Sequence, residues 1–304
     1  MKMKIVDSIF LPKCNGEHKF YAQVRDHPCR ANMRQQFETL WEQYKPYSDH
    51  NFLKAFQFDF YQRWWEMYLA VGLLRLKHKL VRQERSRGPD VCITLKNCNK
   101  IWLEATAPTP GTTDDRVPEV NYAKCIREFP EEECLLRLAQ GISDKREKFE
   151  KYVRDGIVSK DDCSIIAISA CSLHQLGPDL DASYPVPLAF LAGAGERKVK
   201  IGKFATHSYI GSRNYIERKS GSLVNMNVFN QTKFKLISAV LYSNIDPFNA
   251  PIEPETTFHL FLNPQAKKSL SQNFTRTFEC YSENILHKDG QKEWTKKPPE
   301  TNFN

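Results

Sequence analysis

The chain has 304 residues and a formal net charge of +8, with 41% of its residues hydrophobic and 26% charged. These proportions are those of a soluble globular protein, and the length suits one large domain or one and a half. No apolar run approaches the roughly 18 residues that a membrane helix needs, and the first residues do not resemble a secretory signal. We therefore expect neither a membrane protein nor one exported by that route.

The nine cysteines are an odd number and are scattered along the chain. They form no Cys-x-x-Cys motif and no Cys/His cluster with the spacing of zinc ligands. We expect free thiols in a reducing compartment, which predicts a cytoplasmic location.

Two helical patterns occupy the first part of the chain. From Arg30 to Tyr44 the apolar residues recur at steps of three and four, which predicts an amphipathic helix that ends at Pro46. A second helix is predicted from Phe52 to about Leu80. The centre of this second helix is apolar almost all round, which is typical of a buried helix.

A β-hairpin is predicted next. Two apolar runs, 91–95 and 101–106, are separated by a polar turn. The first run follows a Gly-Pro-Asp sequence that ends at Asp90, and the second contains Glu104. If the runs pair, the two carboxylates lie close together and repel each other unless a cation sits between them. A divalent metal ion that prefers oxygen ligands would relieve that repulsion.

The second half of the chain alternates between helical and strand-like patterns. A helix is predicted from about Glu131 to Arg154, and the β-branched run from Ser164 to Ala170 is typical of a buried strand. Further apolar runs lie at 187–191, 235–242 and 257–262. This order predicts an α/β fold with a mixed central β-sheet flanked by helices.

We expect three segments along the chain. They are a helical N-terminal extension at 1–50, an α/β core domain at 51–270, and a C-terminal appendage and tail at 271–304. The last segment is polar, which predicts only partial order.

Glu66 lies within the apolar part of the second helix. A carboxylate that is buried there must be paired, protonated or bound to a metal ion. The alternative is that Glu66 lies at the edge of the helix and reaches solvent.

Basic residues are concentrated in two regions. One region, 75–87, leads into the Gly-Pro-Asp sequence and includes Arg85 and Arg87, and the other spans 197–219. Such clusters attract the phosphate backbone of nucleic acids. The alternative is an ordinary solvated surface, and charge alone does not decide between the two.

Taken together, these motifs resemble the PD-(D/E)xK nuclease superfamily. The similarity consists of a helix-borne Glu66, the Gly-Pro-Asp that ends at Asp90, the strand that contains Glu104, and a following helix with Arg, Gln and Lys. It spans roughly residues 50–270. It implies a restriction-endonuclease-like core of order αβββαβ, with Mg²⁺ or Mn²⁺ held by the three carboxylates, and hydrolysis of phosphodiester bonds in DNA or RNA.

The chain departs from the family pattern at one position. Where the family has a lysine that orients the attacking water, this chain has Thr106. Some members of the superfamily carry a replacement lysine on the following helix, and Lys145 and Lys148 are the candidates here. We prefer Lys145, because it shares a helix face with Arg137 and Gly141. The alternative is that both lysines are solvated and pair with acidic residues of their own helix.

The remaining site residues are expected to contact nucleic acid. They are Arg85, Arg87, Arg137, Gln140 and Lys148.

Three functions follow from these patterns. The first is a magnesium-dependent nuclease with Glu66, Asp90, Glu104 and Lys145 as its catalytic residues. The second is a catalytically degenerate protein of the same fold that binds nucleic acid or a protein partner without cleaving, as Thr106 suggests. The third is a purely structural or interaction protein. The distance between Lys145 and the two strand carboxylates is the observation that separates them best.

Overall fold

The structure is a computed structural model that describes residues 8–82, 88–95, 99–119, 130–173, 190–201, 206–286 and 291–300. In 194–201, 206–212, 284–286 and 291–293 only the backbone is described.

Four helices precede the sheet: α1 (Lys19–Asp26), α2 (Ala31–Tyr44), α3 (Phe52–Phe58) and α4 (Phe60–Arg75). The helix predicted from Arg30 to Tyr44 is confirmed as α2. The single helix predicted from Phe52 to about Leu80 is wrong in two respects. It is broken at Asp59, whose backbone is not helical, and it ends at Arg75.

The early end of α4 has a local cause. Lys77 adopts a left-handed backbone conformation (φ +64°), which a helix cannot continue. The N–H of Lys77 then donates to the carbonyl of Leu74 at 3.0 Å, and that of His78 donates to the carbonyl of Leu73 at 3.1 Å. These two bonds satisfy carbonyls that the end of the helix leaves open.

The described strands, in chain order, are β1 (Val91–Thr94), β2 (Lys100–Thr106), β3 (Cys163–Ser169), β4 (Ala194–Ile201), β5 (Thr206–Ser212), β6 (Tyr215–Glu217), β7 (Leu223–Asn225), β8 (Ala239–Ser243), β9 (His259–Leu262), β10 (Glu279–Leu286) and β11 (Gln291–Lys297). Among the described residues, seven of them form one sheet in the order β1-β2-β3-β8-β9-β10-β11. The β2–β3, β3–β8 and β9–β10 pairs are parallel, and the other pairs are antiparallel. The predicted mixed central sheet is therefore confirmed.

Two further helices lie wholly within the described residues after the β1–β2 hairpin: α5 (Glu131–Arg154), which confirms the predicted helix, and the short α6 (Gln272–Thr275). Single 3₁₀ turns lie at Pro28–Arg30, Val228–Asn230, Thr232–Phe234 and Pro254–Thr257. Strands β4–β5 and β6–β7 form two separate hairpins. Of the apolar run at 187–191, residues 187–189 lie outside the described part, and the backbone of 190–191 is helical. None of the described helices has the length and apolar character needed to span a membrane.

The sheet separates two layers of helices. Ile165 and Ala167 of β3 belong to the core cluster that contains α4, whereas Ile166 and Ile168 belong to the cluster that contains α5. This alternation is the two-residue period of a strand that is buried on both faces. Trp65 of α4 also donates a hydrogen bond from Nε1 to the carbonyl of Ala167, at 2.9 Å. The α4 and α5 helices are therefore fixed on opposite faces of the same strands.

Both terminal segments join this core. Phe37 of the expected N-terminal extension stacks on Phe60 of α4, with ring centroids 5.7 Å apart. The expected C-terminal appendage contributes β10 and β11, which complete the sheet at the edge opposite β1. Its polar sequence suggested little order, but an edge hairpin is stabilised by backbone pairing and needs few apolar residues.

We predict that Gly72→Ala in α4 destabilises the fold. An added Cβ would lie 2.6 Å from Cζ of the buried Phe258 ring. Overpacking of this kind costs about 1–3 kcal/mol, which exceeds the gain of about 1 kcal/mol for alanine over glycine in a helix. Urea unfolding should therefore show a lower free energy of unfolding. Adding Phe258→Leu makes room for the new Cβ, so Gly72→Ala should lower the free energy of unfolding less in the Phe258→Leu background than in the wild type. An equal decrease in both backgrounds would contradict the close contact.

Candidate active site

A cavity of about 600 Å³ lies between α4, the start of β1 and the C-terminal half of α5. Its lining is mostly polar or charged. The lining residues are Tyr44, Tyr47, Asp49, His50, Asn51, Asp59, Gln62, Arg63, Glu66, Gly88, Pro89, Asp90, Lys145, Lys148 and Tyr152. The predicted Glu66, Asp90 and Lys145 therefore share one cavity.

The β1–β2 hairpin places Asp90 beside Glu104. The strands are antiparallel and their pairing ends at Val91 opposite Leu103, so Asp90 and Glu104 are the next residues on the two strands. The hairpin prediction is confirmed. Beyond this pair the strands separate, and Oδ2 of Asp90 accepts the N–H of Ala105 at 2.7 Å in place of a strand partner.

Gln62 of α4 bonds with the backbone of β2 at the point where β1 and β2 separate. Its Nε2 donates to the carbonyl of Ala105 at 3.1 Å, and its Oε1 accepts the N–H of Ala107 at 2.9 Å. Side chains thus satisfy the backbone groups that a continuing β1 would have paired with. The end of β2 is therefore held open toward the cavity.

Glu104 is buried behind this cavity, with 1% of its side chain exposed. Its Oε1 accepts hydrogen bonds from Nζ of Lys145 and of Lys148, both at 2.9 Å, and its Oε2 accepts one from the hydroxyl of Tyr152 at 3.3 Å. The three donors are spaced by three and four residues along α5, so they share one helix face. The two ammonium groups compensate a carboxylate that burial would otherwise penalise.

The two lysines differ in exposure. The side chain of Lys145 is 13% exposed and that of Lys148 is 53% exposed. Burial alone would lower the pKa of Lys148, but the charge of Glu104 and the hydrogen bond to it raise that pKa overall. The alternative in which both lysines are solvated and pair only within their own helix is wrong, because both bind a strand carboxylate.

Glu66 is buried and paired. It is 5% exposed, its Oε1 accepts from Gln62 at 3.0 Å, and its Oε2 accepts from Arg63 at 2.8 Å. Burial raises the pKa of Glu66, and the Arg63 charge opposes that rise. The alternative of a solvent-facing residue at the helix edge is therefore wrong.

Asp90 has the least favourable environment of the three carboxylates. Burial is the largest cause that raises its pKa well above the usual range, and repulsion by Glu104 and Glu66 adds to it. Lys145 and the Ala105 N–H act in the opposite direction. The Asp90 side chain is nevertheless exposed to the solvent of the cavity, so water screens part of the burial effect and part of this repulsion.

The donor set of this cavity fits a hard divalent cation in its chemistry. Glu66, Asp90 and Glu104 offer only oxygen, and a cation among them would relieve the repulsion on Asp90. In the present arrangement, no three acidic, His or Cys side chains of the described residues are placed to hold one metal ion. The oxygens of Glu66 and Glu104 are instead engaged by the neighbouring donors. Rotation of the Tyr152 hydroxyl away from Oε2 of Glu104 is the smallest change that would free an oxygen, because Oε1 is held by both lysines.

Of the predicted nucleic-acid contacts that the structure describes, only Lys148 lines the cavity. Arg137 donates to the carbonyl of Thr109 at 2.7 Å, and Gln140 bonds with Asp144 and Arg218. Both lie on α5 but neither lines the cavity, whereas Lys148 does. Arg85 and Arg87 lie outside the described residues.

Sequence reasoning missed three residues that shape the site: Gln62, Arg63 and Tyr152. A signal for them existed in helix spacing. Gln62 and Arg63 lie four and three residues before Glu66, and Tyr152 lies four residues after Lys148.

Comparison of the chain with protein-family models, curated proteins and solved structures gave no match. What can be said of function therefore depends on the geometry of this cavity in an α/β fold with a mixed sheet.

We predict that Asp90→Asn raises the melting temperature at neutral pH. Because the folded-state pKa of Asp90 is raised, its ionisation disfavours the fold. The free energy of unfolding therefore begins to fall as the pH rises above the unfolded-state pKa of Asp90, about 3.9, and it falls further until the pH passes the folded-state pKa. In thermal melts, the increase in melting temperature of Asp90→Asn over the wild type should therefore be largest at pH 8 and should shrink toward pH 4.

Asp161→Asn is the matched control. The carboxylate of Asp161 is exposed, and its hydrogen bond to Lys268 lowers its pKa. Its substitution should leave the melting temperature unchanged or lower it slightly. A lower melting temperature for Asp90→Asn at pH 8 would contradict the repulsion at the site.

Proposed function

We propose that this chain is a metal-dependent nuclease of the PD-(D/E)xK superfamily, with a restriction-endonuclease-like core. The observation that carries the proposal is the 2.9 Å bond between Lys145 and Glu104. It brings a nearly buried cation from α5 to the strand carboxylate, next to Asp90. That cation supplies the charge that Thr106, in the family's lysine position, cannot supply.

The order of elements supports the same proposal. Between α4 and β1, the segment 79–81 runs antiparallel to β1, with a bridge between Leu80 and Ile93 and a 2.8 Å bond from the N–H of Val81 to the carbonyl of Cys92. This segment makes a single bridge to β1 and is not itself a strand of the sheet. The hairpin is followed by α5 and by β3, which is parallel to β2. If the bridge segment is counted as a short first strand, the order agrees with the αβββαβ pattern that the resemblance implies.

Each protein group then has a defined task. A divalent ion held by Asp90 and Glu104 would lower the pKa of a bound water and neutralise charge on the phosphate. Lys145 is fixed by Glu104, so its charge is in place to orient a water and to stabilise an anionic phosphate without reorganisation. Lys148 is more exposed and can turn from Glu104 to a substrate phosphate. Glu66 is held by Gln62 and Arg63 at the opposite wall.

A second function is a degenerate member of this fold that binds nucleic acid without cleaving it. One observation favours it. In the present arrangement, the oxygens of both Glu66 and Glu104 are occupied by side-chain donors. A chain that keeps these bonds in the presence of metal ions would have no hydrolytic centre.

We predict metal-dependent cleavage of DNA or RNA by the purified protein. Supercoiled DNA, linear duplex and single-stranded RNA should be incubated with Mg²⁺ or Mn²⁺, with EDTA as the blank. Asp90→Asn, Glu104→Gln and Lys145→Met should each lower the rate by about 100-fold or more, since each removes transition-state charge stabilisation. Circular dichroism must show that the variants are folded.

The lysines provide an internal control. Lys148→Met should lower the rate less than Lys145→Met, and the exposed Lys151→Met on the same helix should leave it unchanged. Full activity in Glu104→Gln would rule out the proposal. Nucleic-acid binding by the wild type without any cleavage would select the degenerate function.

We also predict that Mn²⁺ raises the melting temperature of the wild type through binding to the folded state. The shift should be absent in Asp90→Asn, because that variant lacks a ligand charge. An equal shift in both proteins would place metal binding elsewhere.

A further inference from the structure

A second cavity, of about 390 Å³, lies beside the C-terminal end of α5. Three segments form it: the turn before β3, the loop 232–236 and the residues 267–268 that follow β9. It is lined by Glu150, Val153, Lys160, Asp162, Thr232, Lys233, Lys235, Leu236, Lys267 and Lys268. We call it the lysine cavity.

The acidic residues at this cavity are already engaged. Glu150 accepts from Arg146 at 2.6 Å. The oxygens of Asp162 accept from the N–H of Lys100 at 3.0 Å and from Nε1 of Trp102 at 2.9 Å. Glu150 is therefore paired with a cation of its own helix, whereas Asp162 is held in place by neutral donors and offsets only one of the lysine charges.

Four of the five lysines have no carboxylate partner among the described residues. Lys268 is the exception, since it pairs with Asp161 at 2.6 Å. The other four are Lys160, Lys233, Lys235 and Lys267. Like charges gathered around one concavity repel each other, and an anion that binds there relieves that repulsion.

The loops that carry these lysines are held in place. The N–H of Lys267 donates to the carbonyl of Lys235 at 2.8 Å, which joins the two loops directly. The buried Asn263 donates from Nδ2 to the carbonyls of Phe234 and Ile237, at 3.1 and 2.8 Å. The lysine cavity is therefore formed before any ligand arrives, which limits the entropy lost on binding.

The lysine cavity and the candidate active site lie on opposite flanks of one helix. Lys148 and Tyr152 of α5 line the active-site cavity, while Glu150 and Val153 of the same turns line the lysine cavity. The two are therefore separated by about one helix diameter, roughly 10 Å. A nucleic-acid strand advances about 3.4 Å per nucleotide and has to pass over the surface of α5, so the two cavities are at least about three nucleotides apart along a strand.

We propose that the lysine cavity binds the phosphate backbone of a nucleic acid a few nucleotides away from the phosphate at the candidate active site. This inference rests on the proposed function for the identity of the ligand. Four unpaired positive charges exceed what one phosphate group neutralises, which favours a polymer with regularly spaced phosphates over a single small anion. Contacts of this kind fix the register of a strand without reading its sequence.

The test is a salt titration of binding without metal ions. Fluorescence polarisation is measured in EDTA with a labelled DNA duplex and with a labelled single-stranded RNA. The triple variant Lys233→Ala/Lys235→Ala/Lys267→Ala should bind at least one probe about tenfold or more weakly near 0.1 M salt. The slope of log K against log salt should fall by about 2 to 3, since each lost phosphate contact accounts for about 0.9 on duplex DNA.

The matched control is Lys13→Ala/Lys19→Ala/Lys54→Ala, which removes the same charge from exposed lysines that line neither cavity. It should keep most of the affinity and the slope. If the cavity triple variant does not fold, the exposed pair Lys160→Glu/Lys267→Glu carries the same test.

The outcomes separate this inference from the nuclease proposal. Weaker binding only in the cavity variants supports the inference even if no cleavage is ever seen. Unchanged binding in the cavity variants, equal losses in cavity and control variants, or no binding by the wild type overturns it. If the cavity variants bind normally, or if cavity and control variants lose binding equally, the nuclease proposal is unaffected, because it depends only on cleavage by the wild type.

Discussion

The central interaction of this protein is the contact between the buried Glu104 carboxylate and two ammonium groups from α5. A charged carboxylate near the end of a central strand is costly unless it is compensated. Lys145 and Lys148 provide that compensation from successive turns of one helix face, and they fix the rotation of α5 against the sheet. Replacing Glu104 with an apolar residue would leave the nearly buried Lys145 charge without its carboxylate partner. The same contact thus positions α5 and places a cation next to Asp90.

On the other face, Gln62 of α4 fixes the second wall of the cavity. It bonds with Glu66 of its own helix and with two backbone groups at the end of β2, so a shift of α4 along the sheet would break both bonds to the strand together. The two helices therefore hold the end of one strand from both sides. The cavity between them is lined by Glu66, Asp90, Lys145 and Lys148 among other charged groups, and Glu104 lies behind it. Glu66 is paired with Arg63, and the two lysines are paired with Glu104.

Much of this arrangement is local in sequence and could be predicted, and the rest depends on long-range contacts. The hairpin that joins Asp90 to Glu104, and the helix face that carries Lys145, follow from short periodic patterns. The end of α4 at Arg75, two residues before Lys77, could not be foreseen, because a lysine in a left-handed conformation has no sequence signal. The polar β10–β11 hairpin was missed because edge pairing leaves little hydrophobic alternation. The lysine cavity joins three segments that are far apart in sequence, so no local pattern indicates it.

The distribution of charge gives these features a common physical basis. Asp90 is held near two other carboxylates at a cost to the fold, while unpaired lysines crowd the far flank of α5. Selection for stability alone would remove both kinds of repulsion, since neutral residues of similar size would fit each position. A polyanion that carries its own cations relieves both at once, because its phosphates neutralise the lysines and its metal ions neutralise the carboxylates. Under the proposed function, the carboxylates on one flank of α5 and the lysines on the other would contact different parts of a single extended nucleic acid.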